Sequence, residues 1–208
     1  MNLSQRLRRV PRVFQEEGAG ELWRRILWET QGIFHRRILL MERSLDEPIS
    51  EVASRLPVVF DLLKETEMGE YISFRPDANP SEIRSRWCRG HRCFVGRHAG
   101  QIVNAGWVGT SSGTIGELGR EIELAPDEVF LYDGFTSPRF RNQKIQQARH
   151  AWILRILRDA GFRRAIGHVR LDNITQIRAL ERVGYHSFAV MGYVKLGPWR
   201  RREFSGLP

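Results

Sequence analysis

The spacing of hydrophobic positions changes near residue 50 of this 208-residue chain. Before that point, apolar residues recur at intervals of three and four, and arginines such as Arg24 and Arg36 fill positions between them. This spacing predicts a basic amphipathic helical arm over residues 1–50, interrupted at Pro11. We expect the arm to pack on the rest of the protein or on a second subunit, or else to lie on an anionic membrane surface. The apolar positions of the arm are Trp23, Ile26, Leu27, Ile33, Phe34, Ile38 and Leu39.

After a polar linker at residues 44–54, strand-like runs alternate with helix-like runs. We therefore predict an α/β or α+β domain with a mixed sheet over residues 56–198, followed by a basic tail at 199–208. The predicted strands are 56–63, 92–97, 101–109, 128–136, 163–171 and one or two within 185–197. Residues 114–124 are a further candidate strand. The predicted helices are 79–88, 142–159 and 173–184.

The chain has 33 Lys and Arg residues against 24 Asp and Glu residues, which gives a net charge of +9. This surplus favours anionic partners, such as phosphorylated small molecules, nucleic acid or an acidic membrane face. No apolar run approaches the roughly 18 residues needed to span a bilayer, and the N-terminus lacks the apolar core of a signal peptide. We therefore expect a cytoplasmic protein, with a peripheral membrane contact through the arm left open.

Cys88 and Cys93 lie on either side of His91. Two cysteines are too few for a disulfide framework, and this crowded group without a second ligand pair does not match a zinc-site spacing. We therefore expect no metal cofactor.

The turn Ser137–Gln146, with the sequence SPRFRNQKIQ, joins a predicted strand to a predicted helix. A helix N-terminus offers unpaired amide groups and a partial positive charge to a phosphate. Arg139, Arg141 and Lys144 add formal positive charge to this turn. A solvated basic loop has the same composition, so the turn alone does not establish a binding site.

A second motif follows about thirty residues later, from Asn173 to Tyr185. Together the two motifs resemble those of the GNAT superfamily of N-acetyltransferases, P-x-Y-R-G-x-G-x-G followed by N-x-x-A-x-x-L-Y-x-K-x-G-F. The positions that match the first pattern are Pro138, Phe140 and Arg141, and those that match the second are Asn173, Arg182, Gly184 and Tyr185. The glycine positions of the first pattern hold Asn142, Lys144 and Gln146.

This resemblance covers roughly residues 56–196 and implies a central mixed twisted sheet flanked by helices. It also implies acetyl-CoA or another acyl-CoA as the co-substrate. The backbone of Phe135 and Thr136 would then pair with the pantetheine arm, and Asn173 would lie nearby. Asn142 is the residue best suited to a left-handed conformation in place of glycine. The residues expected to hold the pyrophosphate are Arg141, Asn142, Gln143, Lys144, Ile145 and Gln146.

Acyl transfer to an amine needs a base for the ammonium proton and an acid for the leaving thiolate. The family often uses a tyrosine as the acid, and Leu180 stands at that position here, so Tyr185 or Tyr193 would have to replace it. Asp133 is our first candidate for the base, because a carboxylate in an apolar strand has either a raised pKa or a buried ion-pair partner. The alternatives for the base are Glu128, Glu117 and, less favoured, His168.

The sequence therefore predicts an N-acyltransferase that acts on a primary amine, by direct attack in a ternary complex. The expected acceptor is a small-molecule amine. It can also carry acidic groups, because the protein is positively charged. The alternative is a catalytically degenerate GNAT fold that binds CoA or a protein partner. A homodimer formed through the arm is a further expectation, and nucleic-acid binding ranks last because no aromatic-basic recognition motif occurs.

Overall fold

The computed structural model describes residues 35–196 and 200–206, which contain a central sheet of eight strands and a separate two-stranded hairpin. The strands of the central sheet are β1 (His35–Ser44), β2 (Val59–Leu62), β3 (Arg92–His98), β4 (Gln101–Gly109), β7 (Glu128–Thr136), β8 (Arg164–Arg170), β9 (His186–Leu196) and β10 (Arg200–Gly206). The hairpin consists of β5 (Ser112–Ile115) and β6 (Arg120–Glu123). Across the central sheet the order is β10-β9-β1-β8-β7-β4-β3-β2.

β7 and β8 form a parallel pair, whereas the other neighbouring strands of the sheet are antiparallel. Their pairing begins at Glu128 opposite Arg164 and ends at Leu131 opposite Gly167. Beyond that point β7 still pairs with β4 and β8 with β1, but β7 and β8 no longer pair with each other. A gap therefore opens between their carboxyl-terminal halves.

Four helices complete the described part of the chain: α1 (Met68–Phe74), α2 (Pro80–Cys88), α3 (Ile145–Asp159) and α4 (Ile174–Glu181). Helices α2 and α4 each begin with an asparagine cap. The Oδ1 atom of Asn79 accepts a hydrogen bond from the amide of Ser81 at 2.9 Å, and that of Asn173 accepts from the amide of Gln176 at 3.2 Å. None of the helices in residues 35–196 has the length and apolar content needed to cross a bilayer.

The sheet has a hydrophobic core on each face, because successive strand residues point to opposite sides. On β7, Phe130 packs with residues of α1 and α2, whereas Leu131 packs with residues of α3 and α4. The indole of Trp107 belongs to the first core and donates a hydrogen bond to the hydroxyl of Tyr71 at 3.1 Å. The α/β fold class with a mixed sheet is thus confirmed.

The predicted helical arm is wrong over its last part, because residues 35–44 form β1, which lies inside the sheet between β9 and β8. The residues Ile38, Leu39, Leu40 and Met41 are all buried. A short apolar run that is buried on both faces fits a central strand as well as a helix, which explains the error. Residues 45–50 are described and contain no helix. Residues 1–34 of the predicted arm lie outside the described residues, and the predicted dimer and membrane contacts fall mainly there.

Two other boundaries also change. The predicted tail at 199–208 contains β10, which pairs with β9 at the edge of the sheet. The candidate strand at 114–124 is part of the β5–β6 hairpin. Helix α1 is absent from the sequence-based prediction.

Candidate functional site

The turn between β7 and α3 retains a left-handed backbone without glycine. After a short 3-10 turn at Pro138–Phe140, the φ angles of Asn142 and Lys144 are +63° and +57°, and α3 begins at Ile145. The left-handed conformation was expected for Asn142 but not for Lys144, and both residues adopt it. A left-handed conformation costs an ordinary L-residue about 1–2 kcal/mol, so the turn holds some backbone strain.

The amide groups of this turn are available to a ligand. The first helical bond of α3 joins the amide of Ala148 to the carbonyl of Lys144 at 3.0 Å. Among the described residues, no acceptor faces the amides of residues 142–147. Arg141 differs, because its amide donates to the carbonyl of Pro138 at 3.3 Å. The predicted cradle therefore keeps its donors from residue 142 onward.

The gap between β7 and β8 is a cleft of about 250 Å³. Gly134 of β7 lines the cleft, but Phe135 and Thr136 do not. Asn104 on the neighbouring strand β4 donates from Nδ2 to the carbonyl of Phe135 at 3.0 Å and to the hydroxyl of Thr136 at 2.7 Å. The carbonyl of Phe135 thus accepts a hydrogen bond from β4, and the pairing of Phe135 and Thr136 with a ligand stays a prediction.

A β-bulge directs Asp133 out of the strand. Asp133 and Gly134 together oppose Gly106 of β4, and the φ angle of Asp133 is +51°. Its carboxylate forms salt bridges with two arginines, at 2.7 Å from Nη1 of Arg75 and 2.5 Å from Nη1 of Arg86. Burial alone would raise the pKa of Asp133, but the charges of the two arginines outweigh burial and lower it. The ion-pair alternative is therefore confirmed, and the raised pKa is wrong.

Glu128 does not belong to the site. It lies at the start of β7, five residues from Asp133 and thus about 16 Å along the strand. Its carboxylate accepts from Nη1 of Arg164 at 2.5 Å and from the amide of Ala125 at 3.0 Å. Glu128 therefore joins a strand end to a loop and lines neither of the two cavities, so we place no catalytic role on this alternative candidate.

Glu117 and His168, two alternatives named separately from sequence, form a pair. The Nε2 atom of His168 lies 3.0 Å from the carboxylate of Glu117, and its ring stacks on Phe130 at 5.5 Å. Burial would raise the pKa of Glu117, but the hydrogen bond and charge of His168 and the charge of Arg36 lower it to about 2. An ionised carboxylate that orients an imidazole is a suitable arrangement for a general base.

The Glu117–His168 pair lies where two cavities meet. The second cavity, of about 530 Å³, is lined by residues of α1 and α2. Its lining includes Arg86 and the acidic residues Asp77 and Glu82. The residues that line both this cavity and the cleft are Glu117, Tyr132, Asp133 and His168. The gap between β7 and β8 thus connects the two faces of the sheet.

Polar atoms without partners are concentrated in the cleft. Arg149, His150, His168 and Tyr185 line it, and each has a buried side-chain atom with no hydrogen-bond partner among the described residues. Buried polar groups are nearly always hydrogen-bonded, so these atoms are available to ordered water or to a bound polar group. Neither Arg149 nor His150 is among the residues predicted from the sequence. The spacing of four that places Arg149 between Ile145 and Ile153 on the apolar stripe of α3 could have identified it.

Tyr185 and Asn173, both predicted from the second motif, also line the cleft. Burial raises the pKa of Tyr185 above its usual range, so its hydroxyl stays protonated and able to donate. Leu180, at the position of the family's tyrosine, is 5% exposed and lines the same cleft. The side chain of Asn173 caps α4, as described above.

The cysteines are far from a metal-site arrangement. Cys88 is exposed at the end of α2, Cys93 is buried, and Nδ1 of His91 lies 2.6 Å from the hydroxyl of Tyr132. In the described ranges, no three His, Cys, Asp or Glu residues are grouped to hold a metal ion.

Solved structures share this fold. A protein of Novosphingobium aromaticivorans assigned to the GNAT family of acetyltransferases matches with a TM-score of 0.57 at 16% identity, over 85% of this chain and 66% of its own. A GCN5-related N-acetyltransferase of Sphaerobacter thermophilus matches with a TM-score of 0.56 at 14% identity, over 91% of this chain and 56% of its own. The chain therefore spans two-thirds or less of the length of these two proteins.

A third match is AAC(6')-Iy in complex with the bisubstrate analogue CoA-S-monomethyl-acetylneamine, with a TM-score of 0.51 at 12% identity, over 70% of this chain and 98% of that one. No protein-family model matches the chain, and no curated protein matches it in sequence. The structural matches show that the chain has the GNAT fold, as the resemblance implied.

Proposed function

We propose that the protein is an acyl-CoA-dependent N-acyltransferase that acts on a primary amine. The observation that carries this proposal is the meeting of two cavities at the gap between β7 and β8. At this gap, an acyl donor bound on one face of the sheet would reach an amine acceptor bound on the other face. The GNAT fold supports acyl transfer as the reaction, and the matched complex with a CoA analogue supports CoA as the carrier.

The donor side combines a phosphate cradle with an open strand edge. The free amides of residues 142–147 would hold the pyrophosphate, with Lys144 supplying positive charge. The edge of β7 that faces the gap, at residues 132–134, has no strand partner in the described part of the chain and would receive the pantetheine amides. Asn173 lines the cleft beside this path.

The larger cavity would hold the acceptor amine. His168, oriented by Glu117, would accept a proton from the substrate ammonium. The free amine would then attack the thioester carbonyl and form the C–N bond as the C–S bond breaks, and the nitrogen would release its second proton to solvent. Tyr185 would donate its proton to the departing thiolate and recover one from solvent. Asp133 would fix the wall of the site through Arg75 and Arg86 rather than act as the base.

The test measures CoA release with a panel of primary amines, alongside the thermal shift caused by CoA. Replacing His168 with Gln should lower kcat by about 10²–10⁴-fold and leave the CoA-induced shift unchanged. The exposed pair of His186 and Glu42 has the same 3.0 Å separation, so His186→Gln is a matched control that should leave kcat unchanged.

The possible outcomes separate the alternatives. A CoA-induced shift without CoA release on any amine would favour the degenerate CoA-binding protein, for which Leu180 in place of tyrosine is the supporting observation. The absence of a CoA-induced shift would contradict the donor site. An equal loss of kcat in His168→Gln and His186→Gln would contradict the assignment of the base.

A further inference from the structure

Arg149 carries a positive charge into the centre of the fold. It lies on α3, is 2% exposed, and lines the cleft. A side chain at Gly106 would collide with its guanidinium, and a Cβ atom at Gly134 would lie 3.2 Å from Nη2. The charged end of Arg149 therefore rests against two glycines at the β-bulge, beside the gap between β7 and β8.

Within residues 35–196 and 200–206, this guanidinium has no paired counter-charge. Its Nε and Nη1 atoms have no acceptor among the described residues, and no described carboxylate forms an ion pair with it. Asp133, the nearest acidic candidate on the bulge, is already held by Arg75 and Arg86. A buried charge is normally paired, because an unpaired one loses its hydration without compensation.

The neutral groups around Arg149 do not supply the missing charge. Burial raises the pKa of the Cys93 thiol to about 12 and that of the Tyr185 hydroxyl above its usual range, so both stay protonated near neutral pH. Burial also lowers the pKa of Arg149, but only to about 10, so the guanidinium remains charged. The site therefore lacks one negative charge.

We propose that the acyl donor carries a carboxylate at the far end of its acyl chain, which pairs with Arg149; the donor is thus the CoA thioester of a dicarboxylic acid. This inference rests on the proposed function. The free amides at the start of α3 are assigned to the pyrophosphate, whereas the guanidinium of Arg149 rests against Gly106 and Gly134 at the β-bulge, beside the gap. A guanidinium matches a carboxylate with two parallel hydrogen bonds, whereas an acetyl group has no charge to offer.

The experiment compares three ligands by titration calorimetry on the full chain: CoA, butyryl-CoA and succinyl-CoA. Butyryl and succinyl chains have the same number of carbons and differ in the terminal carboxylate. We expect succinyl-CoA to bind about 10- to 100-fold more tightly than butyryl-CoA. Equal affinities for the two thioesters, with CoA itself bound, would overturn the inference and leave the proposed function intact. Failure of all three to bind would overturn the proposed function, and the inference with it.

Variants of Arg149 locate the effect. In Arg149→Met, succinyl-CoA should bind no better than butyryl-CoA, while CoA binds as before. Arg149→Lys keeps the positive charge but loses the paired hydrogen bonds of the guanidinium, so it should retain part of the preference for succinyl-CoA. Arg158 lies on the same helix and is exposed, so Arg158→Met is the matched control and should leave the preference unchanged.

Two results would contradict the role of Arg149. One is a preference for succinyl-CoA that survives in Arg149→Met. The other is an equal fall in kcat for both thioesters with no difference in binding, which would make Arg149 a ligand of the thioester oxygen instead. Without ligand, Arg149→Met should have a higher Tm than the wild type, because the substitution removes an unpaired buried charge; a lower Tm would contradict the absence of a counter-charge.

Discussion

Asp133→Asn separates a structural from a catalytic role for this carboxylate. The substitution removes one charge and preserves the shape, and Asn tolerates the positive φ angle of this position. The side chains of Arg75 and Arg86 are only 17% and 12% exposed, so both lose their shared counter-charge in a poorly hydrated place. Removing one partner of a fully buried pair costs about 3–5 kcal/mol. Arg86 keeps Glu82 and Arg75 keeps Asp77, so we expect a loss of about 2–3 kcal/mol in the free energy of unfolding.

Urea denaturation at neutral pH measures this loss, provided that the m value does not change. Asp77→Asn is the control, since Asp77 contacts the same Arg75 at 3.5 Å but is 34% exposed. That substitution should cost less than about 1 kcal/mol. If Asp133→Asn unfolded at the same urea concentration as the wild type, the ion-pair account of Asp133 would be refuted.

The dependence on pH gives a second check. Because the folded protein lowers the pKa of Asp133 below the unfolded value of about 3.9, the unfolded chain binds the proton more readily. The stability contributed by Asp133 is therefore complete above about pH 4 and is lost as the pH falls through the folded pKa. The difference between wild type and Asp133→Asn should shrink below about pH 4, and a difference that grew there would contradict the sign of the shift.

Three further substitutions test separate parts of the site. Lys144→Gly should raise the free energy of unfolding by about 0.5–1 kcal/mol in urea denaturation, because relief of the left-handed strain exceeds the entropy loss of glycine; a loss of stability would contradict the strain. Gly106→Ala should cost about 1–3 kcal/mol by displacing Arg149, and calorimetry should show the succinyl preference gone. Gly69→Ala, with open space around its Cβ, is the control and should have neither effect. Tyr185→Phe should lower kcat at least tenfold and leave both CoA affinity and Tm unreduced, because the hydroxyl has no described partner to lose; unchanged kcat would exclude Tyr185 as the acid.

The elements that sequence predicted correctly carry local signals. Asn79 followed by Pro80 marks the start of α2, and the turn at 98–100 joins β3 to β4, with Ala99 and Gly100 at positive φ. β1 was mistaken for a helix because its strand character depends on pairing with β8 and β9, more than a hundred residues later. Pairing over such a distance leaves no trace in the spacing of apolar residues.

The same limit applies to the site. An isolated carboxylate in an apolar strand singled out Asp133, but its partners Arg75 and Arg86 lie 58 and 47 residues away, among 33 basic residues. Glu117 and His168 were both candidates, 51 residues apart, and only the folding of the β5–β6 hairpin over the sheet joins them. Sequence thus supplied the groups, and the topology of the sheet decided which of them meet.

The two departures from the family pattern have different consequences. Glycine permits positive φ angles, and Asn142 and Lys144 adopt positive φ angles without it. The donors there are amides, which every residue except proline possesses. Leucine at position 180 removes a hydroxyl, and no backbone group can replace a proton donor of that kind. Tyr185 also lines the cleft and is the proposed proton donor, so the proposed transfer depends on one side chain, whereas the proposed binding of CoA does not.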